Sequence, residues 1–284
     1  MLQEIKINDL SEEKWNAAAS RQSTVPYSQL FYLNAVHNHY HYLVWNDYDE
    51  VFALPIVKKY GFPFSLQPFI CQRFAKVSTS FLNEIILFAK RVSLLSILNL
   101  EMNVDSKIQA IRNQNFILPL TSNYKNIAQF YNSHTNRNLK KSTQLSYQKV
   151  AHADEIIQIF KSKQSEKYAV KPAFFDVLNR VIQIKELQFS FYHAIHNKTI
   201  CGGTIWLIFN KRHLLLMFAQ NELGRQQSST YFLIDQYIKE NAESDVLIDF
   251  EGSNHEGIAN MLKGFGAEPE YYYTLKFGFF SFLK

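Results

Sequence analysis

The sequence predicts an α/β fold written twice: two tandem mixed sheets, each flanked by helices. Three observations predict it. At 284 residues the chain has room for about two domains. Slid by 150 positions, its patterns superpose on themselves. Along each half, helical and strand periodicities alternate in the same order.

The superposition can be followed residue by residue. The apolar run Val51 to Val57 falls on Cys201 to Leu207, and the turn residue Asp47 on Asn197. Tyr60-Gly61 falls on Asn210-Lys211, and Ile97-Leu98-Asn99-Leu100-Glu101 on Leu247-Ile248-Asp249-Phe250-Glu251. In the second copy Pro172 marks a helix start, with Phe174, Phe175, Leu178, Val181 and Ile182 at helical spacing. Strands at about 188–196, 199–209 and 212–219 follow, joined by Asn197-Lys198 and Asn210-Lys211 as short hairpin turns. A helix at about 225–243 carries Tyr231, Ile234, Asp235 and Ile238 on one face. A strand at about 246–250, a helix at about 256–264 closed by Gly264 and a last strand at about 270–277 complete the copy. The first copy repeats the series. Its helix lies at about 28–39, its strands at about 42–46, 50–58 and 64–69, and its second helix at about 80–92. Strand 95–101, helix 104–113 and strand 115–120, each to about two residues, close it.

Between the copies, residues 123–170 read as two or three helices. The domain boundary falls at 122, giving an N-terminal domain over 1–122 and a C-terminal domain over 123–284 that includes this lead-in. From Arg137 to Lys171 there are eight basic and three acidic residues, so the whole net charge of +5 sits there. A local excess of this kind favours an anion or phosphate contact.

Composition narrows the class. With 47% hydrophobic and 19% charged residues, 24 Phe and 16 Tyr, the chain can bury a sizeable core and is not disordered. Cys71 and Cys201 are the only cysteines, too few for a disulfide framework, and no Cys/His spacing points to zinc. The stretch Met1 to Lys6 has no signal-peptide core, and no run reaches about 18 apolar residues. The expectation is a soluble, cytoplasmic protein with no membrane span.

Helix, three-stranded meander, helix, strand, helix, strand is the element order of the GNAT acyltransferase fold. Two such units in tandem resemble the Fem-type branch of that superfamily. Asp249-Phe250-Glu251-Gly252-Ser253 followed by Lys263-Gly264-Phe265-Gly266-Ala267 is similar to the second-domain signature of FemAB-like enzymes. So are Arg137-Asn138-Leu139-Lys140-Lys141-Ser142, and Gln67-Pro68-Phe69 with Gln72 in the first domain. The resemblance implies two tandem GNAT-like domains. It also implies transfer of an acyl or aminoacyl group to an amine on a small molecule or peptide, with acyl-CoA or aminoacyl-tRNA as donor and no metal. Donor phosphates would lie where the third meander strand runs into the next helix, over Asn221 to Ser229. There Gly224 would admit close backbone approach, Arg225 would pair a phosphate, and Asn221, Ser228 and Ser229 would donate or cap. Both copies depart from the GNAT phosphate loop R/Q-x-x-G-x-G/A, and Gln72 to Lys76 in copy one has no Gly at all. Copy one is therefore expected to support or to recognise the acceptor, and copy two to hold the reaction.

Each candidate has a plainer reading beside it. Asp249 and Glu251, two apart on a strand, share one face; one would take the amine proton while the other orients the acceptor. Alternatively Asp249 ties down the Gly252-Ser253 turn and Glu251 pairs a base. Arg137, Lys140 and Lys141 would hold an anion or form a solvated helix face. One of Tyr271, Tyr272 and Tyr273 would protonate a leaving group, with Tyr272 and Gln72 joining the substrate set, or all would be ordinary strand aromatics. His37, His39 and His41 are too weakly spaced for a metal site. Both cysteines read as small buried apolar residues. No G-x-S-x-G, G-x-G-x-x-G or P-loop motif occurs, which leaves hydrolase, nicotinamide and nucleotide chemistry unsupported. The leading expectation is an N-acyltransferase. A GNAT-fold binding protein that has lost transfer is the alternative, and tRNA binding by the basic segment a third, disfavoured because no aromatics interleave with the cations.

Overall fold

The computed structural model describes residues 1–102, 110–163, 169–252 and 254–279. The chain divides into two compact units, neither contiguous in sequence. One comprises Met1–Asn113, Asp176–Glu186 and Tyr271–Lys284, the other Gln114–Phe175 and Leu187–Glu270.

The N-terminal copy runs β1 (Leu2–Ile5), α1 (Glu12–Gln22), α2 (Leu30–Val36), β2 (Tyr40–Trp45), β3 (Glu50–Pro55), β4 (Val57–Lys59), β5 (Phe62–Leu66), α3 (Thr79–Val92), β6 (Leu95–Leu100) and β7 (Ala110–Pro119). The expected helix at 104–113 falls mostly on residues outside those described, and from Ala110 the chain is already strand. The expected strand 50–58 is broken at Ile56. β3 pairs antiparallel with β2, whereas β4 pairs with β5 across the Tyr60-Gly61 turn, where both residues have positive φ. α3 forms because Ser78 caps Phe81 N at 3.3 Å and Phe81, Leu82, Ile85 and Ala89 make one buried face.

The second copy is preceded by α4 (Tyr124–Ala128), α5 (Ser133–Lys141), the strand β8 (Ser146–Val150) and α6 (Asp154–Lys163). The sequence reading took this stretch as all helix and missed β8, a short exposed edge strand paired with β9. The copy itself runs α7 (Pro172–Ile182), β9 (Gln188–His196), β10 (Thr199–Phe209), β11 (Arg212–Gln220), α8 (Glu222–Gln226), α9 (Ser229–Asn241), β12 (Leu247–Asp249), α10 (Glu256–Lys263) and β13 (Glu268–Gly278). β8, β9, β10 and β11 form an antiparallel meander. The Asn197-Lys198 hairpin has positive φ at both central residues, as the twist of a two-residue hairpin requires. The expected helix at 225–243 is two helices, because Ser228 adopts left-handed φ 56° between α8 and α9.

The last strand of each copy joins the other copy's sheet. β7 closes copy one yet pairs antiparallel with β12, through Ile117 and Asp249. β13 closes copy two yet pairs with β6, from Tyr273–Leu100 to Gly278–Leu95. The fold is α/β, two tandem GNAT-like halves of mixed sheet and helix. No helix among the described residues is long and apolar enough to cross a membrane.

The core of the second unit sets α9 against the meander. The Trp206 and Tyr237 rings stack at 3.7 Å, and the Tyr237 hydroxyl meets His213 Nδ1 at 2.8 Å. Burial holds the His213 and His193 imidazoles below their usual value, and His193 Nε2 has no hydrogen-bond partner. An imidazole kept neutral by folding binds its proton more readily in the unfolded chain. Its contribution to stability is complete above about pH 6.5 and is lost as pH falls below that. The urea midpoint is expected to drop between pH 7 and pH 5, and His193→Leu to shrink that drop.

Candidate functional site

The site begins where two parallel strands part. β11 and β12 pair only at Arg212–Leu247, His213–Ile248 and Leu214–Asp249. Against β10 the register steps from Leu215 to Met217, so Leu216 is an extra residue bulging out of β11. A bulge bends its strand, and this one lies two residues past the last β11–β12 pair. From Leu215 to Ala219 the β12-facing edge of β11 pairs with no strand among the described residues, and its peptide groups suit a ligand with amides of its own.

The open gap leads to the loop 221–229. Asn221 is pinned three ways: its N donates to Cys201 O at 3.0 Å, its Nδ2 to Ile200 O at 3.1 Å, and its Oδ1 accepts from Gly224 N at 2.9 Å. Gly224 allows a close approach, but to protein. A Cβ there would stand 2.0 Å from Cys201 O, so the glycine seats α8 on β10. Arg225 is exposed and paired at 2.8 Å with both oxygens of Glu222, whose carboxyl it pulls below the usual range. Ser228 donates to Asn138 Oδ1 at 2.8 Å, and Ser229 Oγ lies 3.4 Å from Gln220 Oε1. No side chain caps α9. Its first turn instead holds Thr230, 2% exposed, whose hydroxyl has no hydrogen-bond partner. An uncapped helix N-terminus with an orphaned hydroxyl is suited to an anion.

At the vertex of the gap lies a buried ionic cluster. Asp249, 0% exposed, accepts from Arg212 Nε and Nη2 at 2.7 Å, from Asn115 Nδ2 at 2.9 Å and from Glu251 N at 2.8 Å. Arg212 also pairs Glu270, and Asn115 Nδ2 donates to Glu270 at 3.0 Å. With four donors upon it and no solvent exposure, the Asp249 carboxylate is committed to Arg212, Asn115 and the Glu251 backbone, an arrangement that counts against the expected role as proton acceptor. Glu251, half-buried, takes φ 57° on that tether, and Gly252 follows at φ 51°, where a Cβ would meet Gln114 O at 2.3 Å.

The remaining expected residues scatter. Arg137 and Lys140 are exposed on α5, Arg137 beside His134 Nδ1 at 3.0 Å, and it is Asn138 between them that touches the loop. In copy one the equivalent gap is filled by the chain itself. After Leu66–Ile97, Gln67 N donates to Ile97 O at 3.1 Å, Asn99 N to Gln67 Oε1 at 2.9 Å and Phe74 N to Asn99 O at 2.8 Å. Gln72 belongs to that plug, accepting from buried Arg73, which pairs Glu101 at 2.9 Å. Tyr272, half-buried on β13, falls in the N-terminal unit. Sequence reasoning missed Arg212, Asn115, Asn138 and Thr230. Only Arg212, a lone charge in an apolar strand, carried a signal that could have flagged it.

No protein-family model matches the chain, and no curated protein matches it in sequence. Among solved structures it is similar to FemX, at TM-score 0.61 and 9% identity over 96% of both chains. It is likewise similar to a tandem GNAT protein from the clavulanic acid biosynthesis pathway, at TM-score 0.57 and 12% identity over 97% of this chain and 98% of the other. The L-PGS structure from Bacillus licheniformis matches at TM-score 0.52 and 8% identity, over 93% and 91%. These likenesses establish the fold.

Two substitutions separate packing from binding at this site. Gly224→Ala is expected to lower stability by about 1–3 kcal/mol through overpacking against Cys201. Asp249→Asn leaves Arg212 under-compensated in the interior and is expected to cost on the order of 3 kcal/mol. Urea denaturation of both variants checks the two values.

Proposed function

We propose that the chain is a GNAT-fold acyltransferase that moves an acyl or aminoacyl group from an acyl-CoA or an aminoacyl-tRNA to an amine on a small molecule or peptide. One observation carries the reading: β11 leaves β12 after Leu214, and the gap opens toward the uncapped start of α9. A donor amide chain fits along the free β11 edge, and its phosphates fit the helix end, where Thr230 adds a hydroxyl. The exposed cations of α5, Arg137 and Lys140, stand on the helix whose Asn138 holds Ser228, and their charge would favour a long polyanionic donor.

The amine attacks the acyl carbonyl directly, the C–S or C–O bond breaks to release a thiolate or alkoxide that takes up a proton, and the amine proton passes to a base. Backbone N–H groups near Ala219 or Gln220 would stabilise the oxyanion. Glu251 is the proton acceptor in this scheme, with Asp249 fixing its backbone. A covalent enzyme intermediate has no support in Cys201, buried with its thiol pushed up to about 11 by desolvation. The Glu222–Arg225 pair, which occupies a cation expected on phosphate, favours a second reading: a binding protein without turnover.

A thermal-shift series with acetyl-CoA, longer acyl-CoAs and aminoacyl-tRNA tests donor binding. A donor at 100 times its Kd is expected to add about 2.7 kcal/mol. With donor and acceptor in hand, Glu251→Gln is expected to slow transfer by ~10²–10⁴-fold while donor Kd is kept. Stabilisation by a donor with no transfer to any amine would favour the binding protein, and stabilisation by none would end the proposal.

A further inference from the structure

The N-terminal unit contains a cavity of about 1050 Å³ that the acyl-transfer reading does not use. It exists because of the strand break at Ile56. The chain there leaves the β2–β3 ladder for the β4–β5 ladder, and the segment after α2 covers the break. Ile56 N donates to His39 O at 2.9 Å, and His37 Nε2 meets Ile56 O at 2.9 Å, so both peptide groups of Ile56 are tied to the 37–39 segment. Arg180 Nε fixes the start of that segment by donating to Ala35 O at 2.8 Å.

The wall sorts into committed and uncommitted groups. His37 is held by Ile56, the Tyr40 hydroxyl by Leu33 O at 3.3 Å, and His41 Nδ1 by Glu4 at 2.5 Å. Among the described residues Glu4 contributes the only acidic side chain lining the cavity, and His41 already faces it. By contrast the side chains of Lys6, Lys58, His39, Asn8, Asn34 and Asn38 line the cavity and make no hydrogen bond or ion pair among the described residues. A cavity whose free groups are two ammoniums, one imidazole and three carboxamides offers cations for an anion and paired donors and acceptors for hydroxyls. The volume exceeds what a bare inorganic ion fills and matches small-molecule sites. Among the described residues no group of three or more metal-ligating side chains gathers here.

We propose that this cavity binds a hydroxylated organic anion, a hexose phosphate or a hydroxycarboxylate, as a ligand separate from the acyl donor. Isothermal titration of the full chain with glucose 6-phosphate, gluconate, glucose and inorganic phosphate tests it. Glucose 6-phosphate or gluconate is expected to bind and to shift the His39 imidazole resonance. Which of the two binds identifies the anionic group. Lys58→Ala and Asn38→Ala, both at exposed positions that the fold does not use, are each expected to weaken binding about tenfold. Absence of binding by both organic anions at 10 mM (roughly the weakest affinity of interest) would overturn the proposal. So would unchanged affinity in both variants, or glucose or phosphate alone binding as tightly. Donor binding measured on the same samples reports on the C-terminal unit, so either reading can fail without the other.

Discussion

One buried guanidinium decides where the sheet of the C-terminal unit opens. Arg212 sits at the first residue of β11, bonded to Asp249 on β12 and paired with Glu270 on β13, and Asn115 on β7 bonds both carboxylates. Charges this deep repay their desolvation only when geometry is met on every side, so they hold register more than they add stability. Four residues past Arg212, with Leu216 bulged, β11 turns away. The vertex is pinned and the arms are free. The loop 221–229, the start of α9 and the tethered Glu251 all take their positions from that fixed point.

The two copies share a plan and spend it differently. In copy two the parallel strands separate and the gap stays open. Copy one has the same separation after Leu66 and Ile97, but its own backbone, from Gln67 to Phe74, closes the opening with hydrogen bonds. The strand that merely opposes a bulge in copy two, at Trp206, is cut through at the corresponding Ile56 in copy one. One half thus retains the opening between strands, and the other closes it and breaks the preceding strand at Ile56.

Local pattern made most of this architecture legible. The repeat showed in Tyr60-Gly61 and Asn210-Lys211, which both occupy two-residue hairpins 150 positions apart. Helices α3 and α10 lay within about a residue of their expected spans, because caps and apolar stripes are local signals. What escaped were long-range effects. β8 is short and polar and becomes a strand only because β9 offers an edge. Ser228 splits a continuous helical pattern because Asn138, 90 residues away, takes its hydroxyl. Asp249 stood open between base and turn tether, because two carboxylates on one strand face allow either. Its quenching by Arg212 and Asn115 required knowing which strands become neighbours.

The crossing-over of closing strands has a consequence for how the chain is made. β6 is complete by Leu100, but its antiparallel neighbour β13 begins at Glu268, so a ribosome must add well over a hundred residues before that edge is covered. Until then β6 presents unpaired peptide groups, the kind of edge that recruits strands from other chains. Late pairing of this sort also raises contact order and slows folding. The exposed nascent edge, rather than any weakness in the finished fold, is where the burden on cellular chaperones would fall.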